Sequence, residues 1–84
     1  MKKYLAICYI DSWHLSGQHF PSFFHQTRGY EDPEEAIKEI INLFEKEKYN
    51  LKIDHYCIDG RYSHVYGYAD GRKFEIRVIG NNEF

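Results

Sequence analysis

Apolar positions follow three different rhythms along this chain. From Tyr4 to Ile10 they are continuous (Tyr4, Leu5, Ala6, Ile7, Cys8, Tyr9, Ile10). Such a run over residues 3–10 suits a central strand covered on both faces. Between Asp32 and Lys48 the apolar residues recur at helical spacing: Ala36, Ile37, Ile40, Ile41 and Phe44 form one stripe, with Leu43 on its flank. Lys38, Glu39, Asn42, Glu45 and Lys46 fall on the other side, so this segment predicts an amphipathic helix. After Asn50 the spacing shortens to alternation, over roughly 51–58, 61–69 and 72–79. Alternation of that kind predicts three strands in a meander.

The residues between these runs agree with that division. Asp32 is a good N-cap, Pro33 fits the first helical position, and Glu35 follows at capping-box spacing. Glu31, Glu34 and Glu35 put negative charge at the positive end of the helix dipole. Glu34 and Lys38 stand one turn apart and can pair. Ser16-Gly17 marks a turn before a second strand over Phe23 to Arg28, and residues 11–21 read as a hairpin tip or an ordered loop. Asp59-Gly60 and Asp70-Gly71 mark the turns of the meander. The expected fold is α+β, in the order ββαβββ: a four- to five-stranded antiparallel sheet with one amphipathic helix packed on one face, forming a single domain over residues 1–84.

Turn length decides which meander residues share a face. A two-residue turn at Asp59-Gly60 would oppose Cys57 to Tyr62, His55 to His64 and Ile53 to Tyr66. At the second turn, a three-residue loop with Gly71 in a bulge opposes Tyr66 to Phe74 and His64 to Ile76. A two-residue turn would instead oppose Tyr66 to Glu75 and His64 to Arg77, mixing charge with the rings. Hydrophobic pattern favours the bulged register, which puts Tyr62, His64, Tyr66 and Tyr68 beneath the helix.

Composition narrows the function classes. Aromatic residues make up 18% of the 84 residues, with eight Tyr and six Phe, a supply of rings large for so small a core. A net charge of −2 weighs against a dedicated DNA-binding protein, which needs a basic excess. The two cysteines, Cys8 and Cys57, lie in separate strand-like runs and read as free thiols of a reducing compartment. The apolar run after Lys2 and Lys3 is short for a signal peptide, and no segment reaches membrane-spanning length. These features predict a cytoplasmic protein with no membrane partner.

Several residue groups have the ingredients of chemistry. In the favoured register His55 and His64 are directly opposed and Cys57 lies two residues along the same face, close enough together to hold a zinc ion. Cys8 could add a fourth ligand if its strand is adjacent. The plainer alternative is a hydrogen-bonded polar pair at the core edge, and no C-x-x-C or H-x-x-x-H spacing accompanies the group. His14, His19 and His25 form a second group, better explained by an exposed loop beside Trp13. Asp11, Ser12 and His14 supply triad residue types, but adjacency in sequence is not a triad. No glycine-rich phosphate motif is present, and Gly67 inside a strand points to a bulge or a close backbone approach. Tyr56, Arg61, Lys73 and Arg77 could line an open sheet face and bind single-stranded nucleic acid or a nucleotide.

The segment Trp13, Leu15, Phe20, Phe23 and Phe24 either folds back to complete a small core or leaves part of its rings exposed. Surplus exposed aromatics are the usual anchors of protein interfaces. With no catalytic signature and no cofactor motif, the leading expectation is a non-catalytic interaction module. It would dock a protein partner, or a second copy of itself, through these rings. Small chains of this type are often regulators or inhibitors, including ones carried by phages.

Overall fold

All five strands and the helix occur in the expected order in the computed structural model, which describes residues 4–13, 17 and 19–80. The elements are β1 (Tyr4–Trp13), β2 (His19–Gln26), α1 (Pro33–Lys46), β3 (Leu51–Cys57), β4 (His64–Ala69) and β5 (Arg72–Gly80). They form one antiparallel sheet in the order β2-β1-β5-β4-β3. The first and last strands are therefore neighbours, and their pairing joins the two hairpin halves into one sheet. The helix lies on one face, against β1 and β5.

Helix α1 begins where its cap dictates. The Asp32 carboxylate accepts a hydrogen bond from the Glu34 N–H at 2.9 Å, and Pro33 fills the first helical position. The stripe identified from spacing is the inward one: Ala36, Ile37, Ile40 and Phe44 are buried, with Ile41 packed at the margin. Glu34 and Lys38 meet at 3.8 Å on the wet side. Replacing the cap, Asp32→Ala, should cost about 1 kcal/mol, as losses of such caps do. Urea unfolding checks this; a midpoint equal to wild type would mean Pro33 alone starts the helix.

Beneath the helix lie Ala6, Cys8 and Ile10 of β1, Phe74, Ile76 and Val78 of β5, and Val65 and Ala69 of β4. At one end Phe44 stacks on Phe24 of β2, with ring centroids 4.7 Å apart, and also meets Tyr49 and Phe74.

Three expectations change. First, β1 is central but covered on one face only: Ala6, Cys8 and Ile10 are buried, while Leu5 and Ile7 are half-buried and Tyr9 is exposed. A single helix cannot shield both faces of the sheet. Second, Asp59-Gly60 does not make a two-residue hairpin. Gly60–Tyr62 form a 3-10 turn, and the Ser63 hydroxyl accepts from the Asp59 N–H and donates to the Gly60 carbonyl, both at 2.7 Å. Those bonds stabilise a wider connection, so Cys57 opposes His64 and His55 opposes Tyr66. An irregularity between Ile53 and His55 then shifts the rest of β3 by one residue.

Third, the bend between β4 and β5 has two residues, not three. Asp70 and Gly71 both have positive φ (51° and 79°), the backbone of a type I′ turn. Asp70 is held by the Asn50 N–H, which donates to its carboxylate at 2.7 Å. The pairs are therefore Tyr66 with Glu75 and His64 with Arg77. Val65, Gly67 and Ala69 point toward the helix, and His64, Tyr66 and Tyr68 point away. The small inward residues leave room for the helix, and the tyrosine hydroxyls stay in water, where they need no internal partner.

Candidate functional site

The uncovered face of the sheet is the candidate site, and strand register determines its residues. One row across the strands runs Phe23, Tyr9, Glu75, Tyr66, His55. The next runs Gln26, Ile7, Arg77, His64, Cys57. On the other side of the first row, Pro21 opposes Asp11 on β1, and Lys73, Tyr68 and Lys52 continue the line on β5, β4 and β3. Tyr9 and Phe23 meet edge to face, with centroids 6.5 Å apart. Glu75 and Arg77 pair at 3.2 Å, both well exposed, so the contact orients them more than it stabilises the fold. Tyr9, Asp11, Pro21, Tyr66, Lys73 and Glu75 line a shallow groove over the middle of the sheet.

At the β3–β4 edge of this face, three rings stand nearly parallel. His55 stacks on His64 at 4.5 Å and on Tyr66 at 4.8 Å. Cys57 lies beside them, and the potential ligand atoms of His55, Cys57 and His64 are within 4.8 Å of one another. The three residues anticipated as metal ligands are thus together, although the histidines are diagonal neighbours rather than directly opposed. Cys8 does not join them. It points to the helix side, where burial pushes its thiol up to about 12 and keeps it protonated.

Other anticipated groups are placed as follows. Strand alternation and the β2 irregularity divide the aromatic segment between the two faces. Phe23 is on the uncovered face and 61% exposed, Phe20 opposes Ser12 on the helix side and is exposed, and Phe24 packs on Phe44 and Tyr49. Trp13 is fixed only as the strand position opposite His19, and Leu15 lies outside the described residues. Of the nucleic-acid set, Lys73 and Arg77 are on the uncovered face. Tyr56 is on the helix side, its hydroxyl donating to Glu34 at 3.4 Å, and Arg61 sits in the 3-10 turn over the Tyr62 ring. Asp11 and Ser12 point to opposite faces, and Ser12 bonds to Ser22, so these two do not converge; His14 lies outside the described residues.

His25 is turned to the helix, where Glu39 receives its Nε2 at 2.9 Å and the Tyr30 hydroxyl at 2.6 Å. Burial pushes the Glu39 carboxyl up, but the bonds from Tyr30 and His25 together outweigh it and hold the group below its ordinary value. Arg28 donates to the Tyr30 hydroxyl at 3.2 Å. This chain of bonds ties the end of β2 to the helix. It reads as a strut between strand and helix.

Sequence reasoning missed Tyr9, Tyr66 and Tyr68 as surface residues. For Tyr66 and Tyr68 the signal was available: Asp-Gly at the last bend strongly favours a two-residue turn, and that turn puts them on the side of Lys73 and Glu75. No helix among the described residues is long and apolar enough to cross a membrane. The chain matches no protein-family model, no curated protein and no solved structure.

Proposed function

We propose that this protein is a non-catalytic binding module that docks a protein partner on its uncovered sheet face. The observation that carries this reading is a patch of exposed rings on a rigid sheet. Tyr9, Phe23, Tyr66 and Tyr68 are 37% to 61% exposed there, interleaved with Lys73 and Arg77. Tyrosine and arginine are the residue types that anchor protein interfaces, because each combines a large contact area with a polar tip. Strands hold the rings in place, so little ordering entropy is lost on docking. Charge on this face is mixed, with Lys52, Lys73 and Arg77 against Asp11 and Glu75. Mixed charge suits a protein surface better than a phosphate backbone.

A second reading draws on the same cations. Lys73 and Arg77 flank Tyr66 and Tyr68, and rings beside cations are how sheet surfaces hold single-stranded nucleic acid. One experiment separates the two. The tagged chain is used to capture partners, and each captured species is identified and titrated against Tyr9→Ala, Phe23→Ala and the helix variant Lys38→Ala. The expected result is a protein whose affinity falls about 30-fold or more with either ring variant, the cost of truncating an interface anchor. Lys38→Ala should bind as wild type. A partner held equally by both ring variants overturns the reading. A captured oligonucleotide, released by salt and weakened by Lys73→Glu, transfers the face to the second reading.

A further inference from the structure

We propose that His55, Cys57 and His64 form a three-ligand site for a divalent transition-metal ion of the zinc type, at the β3–β4 edge of the uncovered face. Four observations converge on it. The ligand atoms of the three side chains already lie within 4.8 Å of one another. The His55 Nε2 is shielded from solvent and has no hydrogen-bond partner among the described residues. Buried polar atoms almost always find a partner, and an imidazole nitrogen can meet that need by ligating a cation in its neutral form.

His64 supplies the third observation. Its Nδ1 is 3.1 Å from the Tyr62 carbonyl oxygen. A carbonyl only accepts, so Nδ1 carries the proton and donates it, which leaves the Nε2 lone pair free. A ring nitrogen bonded to a backbone carbonyl is the usual outer contact of a metal-bound histidine, fixing both tautomer and orientation. The fourth is Cys57, a free and half-buried thiol on an edge strand, unlike Cys8 beneath the helix.

The donor set selects the ion. Two imidazoles and a thiolate suit Zn²⁺, whereas an all-oxygen set would suit Mg²⁺ or Ca²⁺. Bond lengths near 2.0–2.3 Å put the ligand atoms of a tetrahedral site about 3.3–3.7 Å apart. Closing the group from 4.8 Å therefore takes a shift of roughly an ångström, within the reach of side-chain rotation. Arg77 opposes His64 across the strands, and its guanidinium is paired with Glu75, which offsets its repulsion of the cation. Three protein ligands leave one position for water.

The test uses the full chain, stripped with a chelator and then titrated with Zn²⁺ against a chromophoric competitor, and separately with Co²⁺. The expected result is one Zn²⁺ per chain at micromolar affinity or tighter. Co²⁺ should give a near-ultraviolet charge-transfer band, the mark of a thiolate ligand. Cys57→Ser should remove that band and weaken Zn²⁺ binding by at least about 100-fold, and His64→Ala should weaken it comparably. No binding in the micromolar range, or binding undiminished by Cys57→Ser, overturns the proposal. If the variants fail to fold, the wild-type chain decides alone: Zn²⁺ should protect Cys57 from alkylation mapped by mass spectrometry, and equal labelling with and without Zn²⁺ overturns it.

Discussion

Gly67→Ala is expected to cost about 3 kcal/mol or more, because the added methyl has nowhere to go. A Cβ at this position would lie 2.0 Å from the Lys52 carbonyl oxygen and 2.9 Å from the Ile53 Cα. Both are backbone atoms, so no rotamer change can relieve the clash. The strain arises from the irregularity in β3 between Ile53 and His55, which brings that strand close over the inward side of β4. Relief requires β3 to peel away from its partner, and with it the pairs that hold His55 and Cys57. The loss is a large share of the roughly 5–10 kcal/mol that holds a small domain together. Urea unfolding followed by circular dichroism measures it. Gly71→Ala is the informative comparison: its Cβ meets nothing within 4 Å, and only its φ of +79° resists. That substitution should cost about 1 kcal/mol. A Gly67→Ala midpoint no lower than that of Gly71→Ala would mean the close approach does not exist.

Phe44→Ala should cost a further large amount, about 3–5 kcal/mol, as removal of a buried phenylalanine does. Phe44 is fully buried and touches rings from three other parts of the chain. It stacks on Phe24 at 4.7 Å with planes 9° apart, and it meets Tyr49 and Phe74 at 5.2 Å. The helix, β2, β5 and the segment before β3 therefore share one anchor. Alanine would leave a cavity that the sheet closes poorly, because β5, bonded on both sides, does not move inward. Phe44→Leu refills most of that volume and should recover more than half of the loss. Equal instability of the two variants would point to ring stacking rather than volume as the source.

Much of this fold was legible in the chain, and the part that was not has a physical explanation. Asp32, Pro33 and the stripe from Ala36 to Phe44 each carry a local signal that no tertiary contact overrides, so the helix and its buried side followed directly. Gly67 was legible too, since a glycine inside a strand is costly unless another backbone needs the space. Register was not. The choice at the last bend turned on counting tyrosine as an interior residue. Tyr66 and Tyr68 have apolar bodies and hydroxyls that must stay wet, and either face can hold them when a strand offers Val65, Gly67 and Ala69 as the alternative. The positive-φ pair Asp70-Gly71 then decided the matter locally. Placing Tyr66 and Tyr68 inside hid the β4 part of the candidate face. The trio of His55, Cys57 and His64 stayed together because lengthening the connection between β3 and β4 by two residues keeps the three on one side of the sheet, although that side is the uncovered one and not the one beneath the helix.

The position of β5 has a consequence for how the chain acquires its shape during synthesis. That strand is last in the sheet by sequence yet central in space, bonded to β1 on one side and β4 on the other. Until residues 72–80 leave the ribosome, a nascent polypeptide has two hairpin precursors that nothing joins and a helix that can pack on β1 but not yet on β5. Its apolar stripe is then only partly covered. When the final strand emerges, it closes the longest loop in the molecule in a single insertion, so maturation should proceed as one late, cooperative event rather than piece by piece.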